Sequence, residues 1–296
     1  MLCNICPRQC NADRNINPGF CGAGEMFRVA RAAPHFGEEP CISGTNGSGT
    51  VFFSGCNLKC VYCQNETISH GLYGKDISDK DLMKIFDNLI EKGVHNINLV
   101  TTSHYALKLA KVLKEYNSPV PVVYNTSSYE KADTLKYLEG LVDIYLADIK
   151  YYDESVSNKY SGVKDYFAVA SEAVREMYRQ AGDIVLKDDG TAERGLIIRH
   201  MVLPGNVSQV YKIFSRVREC ISPDCYISIM SQYTPCAGSS KFSEINRKIS
   251  SREYSIAKEQ ILKLGFENVY FQKLSSGTDE YIPDFNLEGV DLSVKK

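Results

Sequence analysis

From about residue 50 onward, apolar residues follow two alternating patterns along the chain. Short apolar runs predict buried strands, and the stretches between them carry apolar residues at every third or fourth position, which predicts amphipathic helices. The clearest helix follows Ser78, has Asp81 at the capping-box position and stops at Gly93. The predicted strands lie at 50–54, 96–101, 120–125, 142–149, 196–202, 226–231 and 269–272, and the predicted helices at 78–92, 105–115, 132–138, 167–181, 208–220 and 251–264.

Repeated βα units imply a parallel sheet with right-handed crossovers. About six units favour an α/β fold with a partial (β/α)6 TIM barrel, and ligands are then expected at the carboxyl ends of the strands. The expected organisation is a cysteine-rich segment at 1–48 with little regular structure, a barrel at 49–275 and an extended tail at 276–296. Residues 183–194 interrupt the rhythm as a hairpin or loop insertion, and residues 281–285 are expected to pack over the barrel.

Composition limits the class of protein. Apolar residues make up 44% of the chain and charged residues 24%, which predicts a packed core rather than disorder. The apolar runs are too short for a transmembrane helix, and no secretory signal is visible at the N-terminus. A net charge of −2 disfavours binding to nucleic acid or to an anionic membrane. We therefore expect a cytoplasmic protein with neither kind of partner.

Three of the 11 cysteines form a tight motif directly after the first predicted strand. Cys56, Cys60 and Cys63 have the spacing C-x3-C-x2-C, and three thiolates can each bind one iron of a [4Fe-4S] cluster. The fourth iron would then lack a protein ligand and stay open to a second molecule. The alternatives are a cysteine stripe on one helix face and a zinc site, which would need a fourth ligand.

Four further cysteines lie close together in the leader, as we call residues 1–48. Four thiols can fill either a tetrahedral zinc site or a complete iron–sulfur cluster, and spacing alone leaves both open. A segment too small for its own core would gain folding energy from a metal; the alternative is scattered loop thiols. The candidate ligands are Cys3, Cys6, Cys10 and Cys21. Of the other cysteines, Cys41 is interpreted as a free thiol and Cys220, Cys225 and Cys236 as core or surface thiols.

The motif resembles that of the radical S-adenosylmethionine (SAM) enzymes, which place an aromatic residue, here Tyr62, before the last cysteine. The resemblance covers roughly residues 48–272. Within that superfamily the chain resembles the pyruvate formate-lyase activating enzymes and their uncharacterised relatives with a cysteine-rich leader. Three stretches carry this likeness: A-D-I-K at 147–150, R-H-M-V-L-P-G at 199–205 and Y-N-T at 124–126.

The resemblance implies a reaction and its participants. The open iron would chelate the amino and carboxylate groups of SAM, and the reduced cluster would deliver one electron to the sulfonium. Methionine would leave, and a 5′-deoxyadenosyl radical would abstract a hydrogen atom, with the barrel orienting these groups and excluding water. The activating enzymes make a glycyl radical on a partner enzyme and take electrons from a flavodoxin- or ferredoxin-type donor, so both kinds of partner are expected here.

The resemblance also implies which side chains contact SAM. Lys150 would pair with the methionyl carboxylate, Asp148 would accept from the amino group or ribose or help to hold a cation, and Arg199 would reach the carboxylate. The alternative for each is a structural ion pair at a strand end. The remaining implied cofactor contacts are Tyr62, Thr102, Ser103, Asn125 and Gln232.

Several positions depart from the family pattern. The glycine-rich G-G-E stretch that meets the SAM amino group is replaced by V-T-T-S-H at 100–104. Hydroxyls and backbone carbonyls of Thr102 and Ser103 can substitute, although Ser103 can instead cap the next helix. Asn125 replaces an aspartate that supports a monovalent cation, and Gln232 stands in for a late histidine. These changes leave a small molecule or a peptide as the alternative substrate, and a zinc-binding scaffold as a remote alternative function.

Overall fold

A ten-stranded sheet forms the centre of the fold in the computed structural model, which describes residues 2–274 and 283–291. Its strands are β1 Phe27–His35, β2 Ser48–Phe53, β3 Lys75–Ile77, β4 Ile97–Val100, β5 Val122–Thr126, β6 Ile144–Asp148, β7 Val185–Leu186, β8 Ala192–Met201, β9 Tyr226–Met230 and β10 Val269–Phe271. The helices are α1 Pro40–Ser43, α2 Glu66–Ser69, α3 Asp79–Glu91, α4 Ala106–Tyr116, α5 Ala132–Leu135, α6 Glu154–Ser161, α7 Tyr166–Ala181, α8 Val210–Cys220 and α9 Ser251–Lys263. Short 3-10 turns lie at Ser103–Tyr105, Lys136–Leu138, Pro204–Asn206 and Ala237–Lys241.

The strand order confirms a partial barrel. Strands β2, β4, β5, β6, β8, β9 and β10 run parallel in that order. Strand β1 pairs antiparallel with β2, and β3 pairs antiparallel with β1. Because β10 and β3 lie at opposite ends of this sheet, the barrel is not closed. The parallel strands direct their carboxyl ends to one side, where the fold class places ligands.

Several parts of the chain differ from the sequence prediction, and the short elements α1, α2 and β3 were not predicted. The leader was expected to be irregular, and this is wrong, because nine of its residues form β1. Both faces of β1 are largely covered, so its sequence shows no clean alternation of apolar and polar residues. Helix α6 was not predicted because it is mostly polar and buries only Ser157, Tyr160 and Ser161. The insertion at 183–194 is a hairpin, as expected, with β7 antiparallel to β8.

The described part of the C-terminal tail, residues 283–291, packs over the barrel. The amide of Leu287 donates to the carbonyl of Ala30 at 3.0 Å, and the amide of Ala32 donates to the carbonyl of Glu288 at 2.8 Å. Phe285 meets Phe52 edge to face, with ring centroids 5.5 Å apart. The expected packing is therefore present from residue 283, whereas residues 281 and 282 lie outside the described part. Among the described helices, none has the length and apolar character needed to cross a bilayer.

Helix α3 has the predicted capping box, which gives a stability prediction. The Asp81 amide donates to Ser78 Oγ at 3.1 Å, and the Ser78 amide donates to the Asp81 carboxylate at 3.2 Å. Ser78→Ala is expected to lower the free energy of unfolding by about 1 kcal/mol, because the helix loses a cap. The matched control is Ser171→Ala, since Ser171 bonds the Phe167 carbonyl inside α7 and caps nothing. Urea unfolding checks both variants, and equal losses would contradict the assignment of the cap.

Candidate functional site

A cavity of about 230 Å³ opens at the carboxyl ends of the parallel strands. Residues from the segments that follow β2, β4, β5, β6 and β8 meet there, so it lies where the barrel topology predicts a site. The lining residues that bear polar or sulfur groups include Glu38, Cys56, Cys60, Tyr62, Cys63, Gln64, Thr101, Asn125, Thr126, Asp148, Lys150, Arg199, Met201, Met230 and Gln232.

The loop with the three cysteines begins with a tight turn packed against the leader. Gly55 has φ +89°, and a Cβ at this position would lie 2.5 Å from the Cys21 carbonyl oxygen. The amide of Cys56 donates to that same carbonyl at 3.2 Å. Glycine is therefore required at position 55, both for its backbone conformation and for the close approach. The turn leads the chain from β2 into the cavity.

The three thiols of this loop all line the cavity. Burial raises the pKa of Cys56 to about 12 and that of Cys63 to about 11, and it also raises the pKa of Cys60. Repulsion from Cys60 adds to the rise at both Cys56 and Cys63. Such thiols are protonated at neutral pH, and iron binding would displace their protons.

Thiols that each bind a different iron of a cluster need not converge on one point. Within residues 2–274 and 283–291, no three His, Cys, Asp or Glu side chains converge closely enough to hold one metal ion. In a cubane each thiolate binds a different iron, so the sulfur atoms stand farther apart than around one ion. Two of the thiols have hydroxyl partners, with Cys60 Sγ 2.9 Å from Ser161 Oγ and Cys63 Sγ 3.2 Å from Ser69 Oγ. Cys56, Cys60 and Cys63 would thus hold three irons of a [4Fe-4S] cluster.

Beside the thiols, a buried network joins the residues at the ends of β5, β6 and β8. Arg199 donates from Nε to Asp148 Oδ1 at 2.9 Å, from Nη1 to Glu38 Oε2 at 2.8 Å and from Nη2 to Asn125 Oδ1 at 2.6 Å. Lys150 Nζ donates to Asp148 Oδ2 at 2.9 Å. The three predicted residues Asp148, Lys150 and Arg199 therefore meet in one place, with Asn125 beside them.

The opposite charges in this network stabilise the ionised forms of its side chains despite their burial. Burial acts to raise the pKa of Asp148, but the neighbouring Arg199 and Lys150 outweigh it and lower that pKa. Burial acts to lower the pKa of Lys150, and Asp148 reverses this effect. The pKa of Arg199 is likewise raised, because Asp148, Glu39 and Glu38 outweigh its burial. Asp148 is thus a carboxylate, and Lys150 and Arg199 are cations.

Sequence reasoning missed the acidic pair that follows β1. Glu38 accepts from Asn98 Nδ2 and Asn125 Nδ2, each at 3.1 Å, in addition to its bond with Arg199. Glu39 is fully buried, and its Oε2 atom has no hydrogen-bond partner and lies 3.7 Å from Arg199 Nη1. Burial raises the pKa of Glu39. The one signal in the sequence was the pair of adjacent acidic residues before Pro40. That signal does not predict that they lie beside Arg199 of β8, about 160 residues later in the chain.

The other predicted cofactor contacts divide into two groups. Tyr62 and Gln232 line the cavity, and Gln232 Oε1 accepts from Gln272 Nε2 at 2.8 Å. Thr102 and Ser103 are not among the lining residues, and Thr101, with φ +62°, occupies that edge. Ser103 makes no cap bond and instead donates to Glu130 Oε1 at 2.7 Å. The left-handed turn at Thr101 directs the next two hydroxyls away from the cavity.

The four leader cysteines gather outside the cavity, behind the loop that carries Cys56. Cys3, Cys6 and Cys21 are buried, and Cys10 is half-buried. The thiol of Cys3 lies close enough to lower the pKa of Cys10, and Gly19 packs against the sulfur atoms of both Cys10 and Cys21. These four side chains are therefore neighbours, but within the described residues no three of them converge closely enough to hold a single metal ion.

Two arginines fasten the leader to the rest of the fold. Arg14 Nη1 donates to the His104 carbonyl at 2.5 Å, and its Nη2 lies 3.6 Å from Cys21 Sγ. Arg8 Nε donates to the Asn57 carbonyl at 2.8 Å. The leader cysteines and the loop with Cys56 are thus held as one unit.

Comparison with known proteins supports the class that this fold and site suggest. Residues 50–188 match the sequence model of the radical SAM superfamily. This match supports the prediction of a [4Fe-4S] cluster and SAM.

Individual proteins show how far the similarity extends along the chain. An uncharacterized protein of Methanocaldococcus jannaschii is 28% identical over 278 residues, which cover 90% of this chain and 76% of that protein. The crystal structure of HydG, a maturase of the [FeFe]-hydrogenase, aligns with TM-score 0.50 and 13% identity over 73% of this chain and 48% of that one. The crystal structure of methylornithine synthase aligns with TM-score 0.48 and 12% identity over 81% of this chain and 74% of that one. The present chain spans about half the length of the maturase, with which it shares the fold.

Proposed function

We propose that this protein is a radical SAM enzyme that holds a [4Fe-4S] cluster at Cys56, Cys60 and Cys63 and binds SAM in the adjoining cavity. The carrying observation is that these three thiols and the Asp148–Lys150 pair line one cavity at the carboxyl ends of the parallel strands. When bound, the cluster would supply one electron to the sulfonium of SAM, which cleaves to methionine and a 5′-deoxyadenosyl radical.

The side chains of the network have the chemistry to orient SAM. Lys150 has three N–H donors and uses one on Asp148, which leaves two for the methionyl carboxylate. Asp148, ionised between Lys150 and Arg199, can accept from the amino group or the ribose. Each of the three nitrogen atoms of Arg199 already donates within the protein, to Asp148, Glu38 and Asn125, so we assign it to positioning Asp148 rather than to direct contact.

For the substrate, we propose a partner enzyme on which the radical forms a glycyl radical. The support is the resemblance of residues 148–150 and 199–205 to the activating-enzyme motifs, whose charged residues meet in the network. A protein of the flavodoxin or ferredoxin class would be the electron donor. None of the 11 cysteines forms a disulfide, which suits a reducing compartment such as the cytoplasm. The test is anaerobic incubation with SAM, reductant and a candidate partner, followed by EPR. A glycyl-radical doublet supports the proposal; its absence with every candidate partner contradicts it.

A small molecule or a peptide is the second candidate substrate. Glu38 from the leader and Pro283 from the C-terminal segment both line the cavity, so two additions to the barrel form part of its wall. Together with the departures from the family pattern at 100–104 and at Gln232, this added wall favours a compact substrate. Release of 5′-deoxyadenosine that depends on an added metabolite or peptide, without a partner enzyme, would favour this candidate.

We further propose that the four leader thiols hold a second metal site, either an iron–sulfur cluster or a zinc ion, for which the side chains would have to move closer together. The support is their gathering behind the cluster loop, with Arg14 donating to Cys21. Cys3→Ala is expected to lose this second metal and to retain about four irons, because the cavity cysteines remain. Elemental analysis for iron, sulfide and zinc checks the result, with Cys41→Ala as the control for removal of a buried thiol. A wild-type protein with four irons, no zinc and the same content in Cys3→Ala would contradict a leader site.

A further inference from the structure

Three hydroxyl groups form a chain that ends on one of the cavity thiols. Tyr62 Oη donates to Tyr151 Oη at 2.5 Å, and Tyr151 Oη lies 2.7 Å from Ser161 Oγ. Ser161 Oγ in turn lies 2.9 Å from Cys60 Sγ. Each contact is within hydrogen-bond distance, so the chain is continuous from Tyr62 to the sulfur.

The surroundings hold this chain in place and bury nearly all of it. Ser161 and Tyr151 are fully buried, and Tyr62 is 4% exposed. The end of α6 is fastened to the cysteine loop by its backbone, since the Val61 amide donates to the Tyr160 carbonyl at 2.9 Å and the Lys59 amide to the Ser161 carbonyl at 3.4 Å. The hydroxyl of Ser161 is therefore presented to the sulfur by a fixed helix end.

The direction of the hydrogen bonds follows from the chemistry of a metal-bound thiolate. A cysteine sulfur bound to iron carries no proton and can only accept, so Ser161 must donate to Cys60. The oxygen of Ser161 then accepts from Tyr151, and Tyr151 accepts from Tyr62, which is the direction that the first contact already has. All three hydroxyls point their protons toward the sulfur, and aligned hydrogen bonds of this kind strengthen one another.

We propose that Ser161, oriented by Tyr151 and Tyr62, is a positioning residue that raises the reduction potential of the cluster. This inference rests on the proposed function of the cavity. Reduction adds one electron from a flavodoxin- or ferredoxin-type donor, or from dithionite in the test tube, and the Ser161 proton stays on its oxygen. The added electron makes the sulfur ligands more negative, so a donated hydrogen bond stabilises the reduced form more than the oxidised form. Potentials of iron–sulfur clusters respond to such hydrogen bonds.

The test is an anaerobic redox titration of the reconstituted full chain without SAM, followed by EPR of the reduced cluster. Ser161→Ala removes the donor, and its reduction equilibrium constant is expected to fall about tenfold, which is about 59 mV more negative for a one-electron couple. Tyr151→Phe keeps the ring and removes only the orienting hydroxyl, so a smaller shift in the same direction is expected. Ser161→Thr restores a hydroxyl and is expected to return the potential toward the wild-type value.

The matched control is Ser157→Ala, a buried serine on the same helix whose hydroxyl bonds the carbonyls of Glu154 and Val163 instead of a sulfur. Its potential is expected to stay at the wild-type value. A wild-type potential in Ser161→Ala with a full complement of iron would overturn the inference and leave the proposed function intact. Loss of the cluster from both Ser161→Ala and Tyr151→Phe would overturn it too, since tuning supposes that the cluster assembles. A wild-type protein that takes up no iron would instead refute the proposed function.

Discussion

Cys56→Ala abolishes 5′-deoxyadenosine production and lowers iron and sulfide well below four per chain. The reason is that Cys56 is one of only three thiols that line the cavity, so its loss leaves the cluster with two protein ligands. The drop in SAM cleavage is expected to be at least about a thousandfold, because the cofactor rather than the barrel carries the chemistry. Anaerobic reconstitution, metal analysis and chromatography of the products measure it.

The matched control for this loss is Cys220→Ala. Cys220 is a half-buried thiol at the end of α8. It is not among the residues that line the cavity containing Cys56. This variant is expected to keep its iron and its activity, because removing a thiol outside the site leaves the cluster ligands untouched. Full activity in Cys56→Ala, or an equal loss in Cys220→Ala, would contradict the assignment of Cys56 as a ligand.

Arg199→Met is expected to destabilise the fold by about 3–5 kcal/mol, the usual cost of breaking a buried ion pair. Removal of one partner from a buried ion pair leaves uncompensated charge. Here the Glu38 and Asp148 carboxylates both lose a hydrogen-bonding partner, and Asn125 loses its donor. Asp148 would no longer be fixed, so SAM affinity is expected to fall as well. Anaerobic urea unfolding of the metal-free protein measures the loss of stability directly, and isothermal titration of the reconstituted protein measures the affinity.

A double-mutant cycle separates this electrostatic effect from lost packing. Glu38→Gln keeps the size of the side chain and removes one of the charges that Arg199 compensates. We expect Glu38→Gln and Arg199→Met together to cost less than the sum of the single losses, with a coupling of about 1–3 kcal/mol. Two outcomes would contradict a stabilising role for the network: additive losses of unfolding free energy in the double mutant, or a loss below about 1 kcal/mol for Arg199→Met alone.

The parts of the fold that were predictable carry local signals. The parallel strands β2, β4, β5, β6, β8 and β9 are short and largely buried apolar runs, and the capping box of helix α3 is visible in the sequence as Ser78 and Asp81. The cysteine motif was also local, since its spacing alone places three thiols on one loop. The charged residues after β6 and β8 could be grouped because parallel strands bring their carboxyl ends together.

What escaped prediction depends on contacts between distant parts of the chain. Glu38 enters the site only because β1 pairs with β2 and carries the leader around to β8. The sequence predicted Thr102 and Ser103 at the cavity edge, but Thr101 lies there instead. The cause is the positive φ of Thr101, which no feature of the sequence predicts. The partner of Cys60 is Ser161, 101 residues away on a helix whose polar sequence predicts no buried face.

The most direct test of the central claim is metal content together with SAM cleavage in the wild-type chain. After anaerobic reconstitution, iron, sulfide and zinc are measured, and 5′-deoxyadenosine is then quantified with SAM and dithionite. The account predicts at least about four irons and sulfides per chain and 5′-deoxyadenosine that appears only with reductant. A colourless protein that binds zinc, takes up no iron and releases no 5′-deoxyadenosine would contradict it and favour a zinc-binding scaffold.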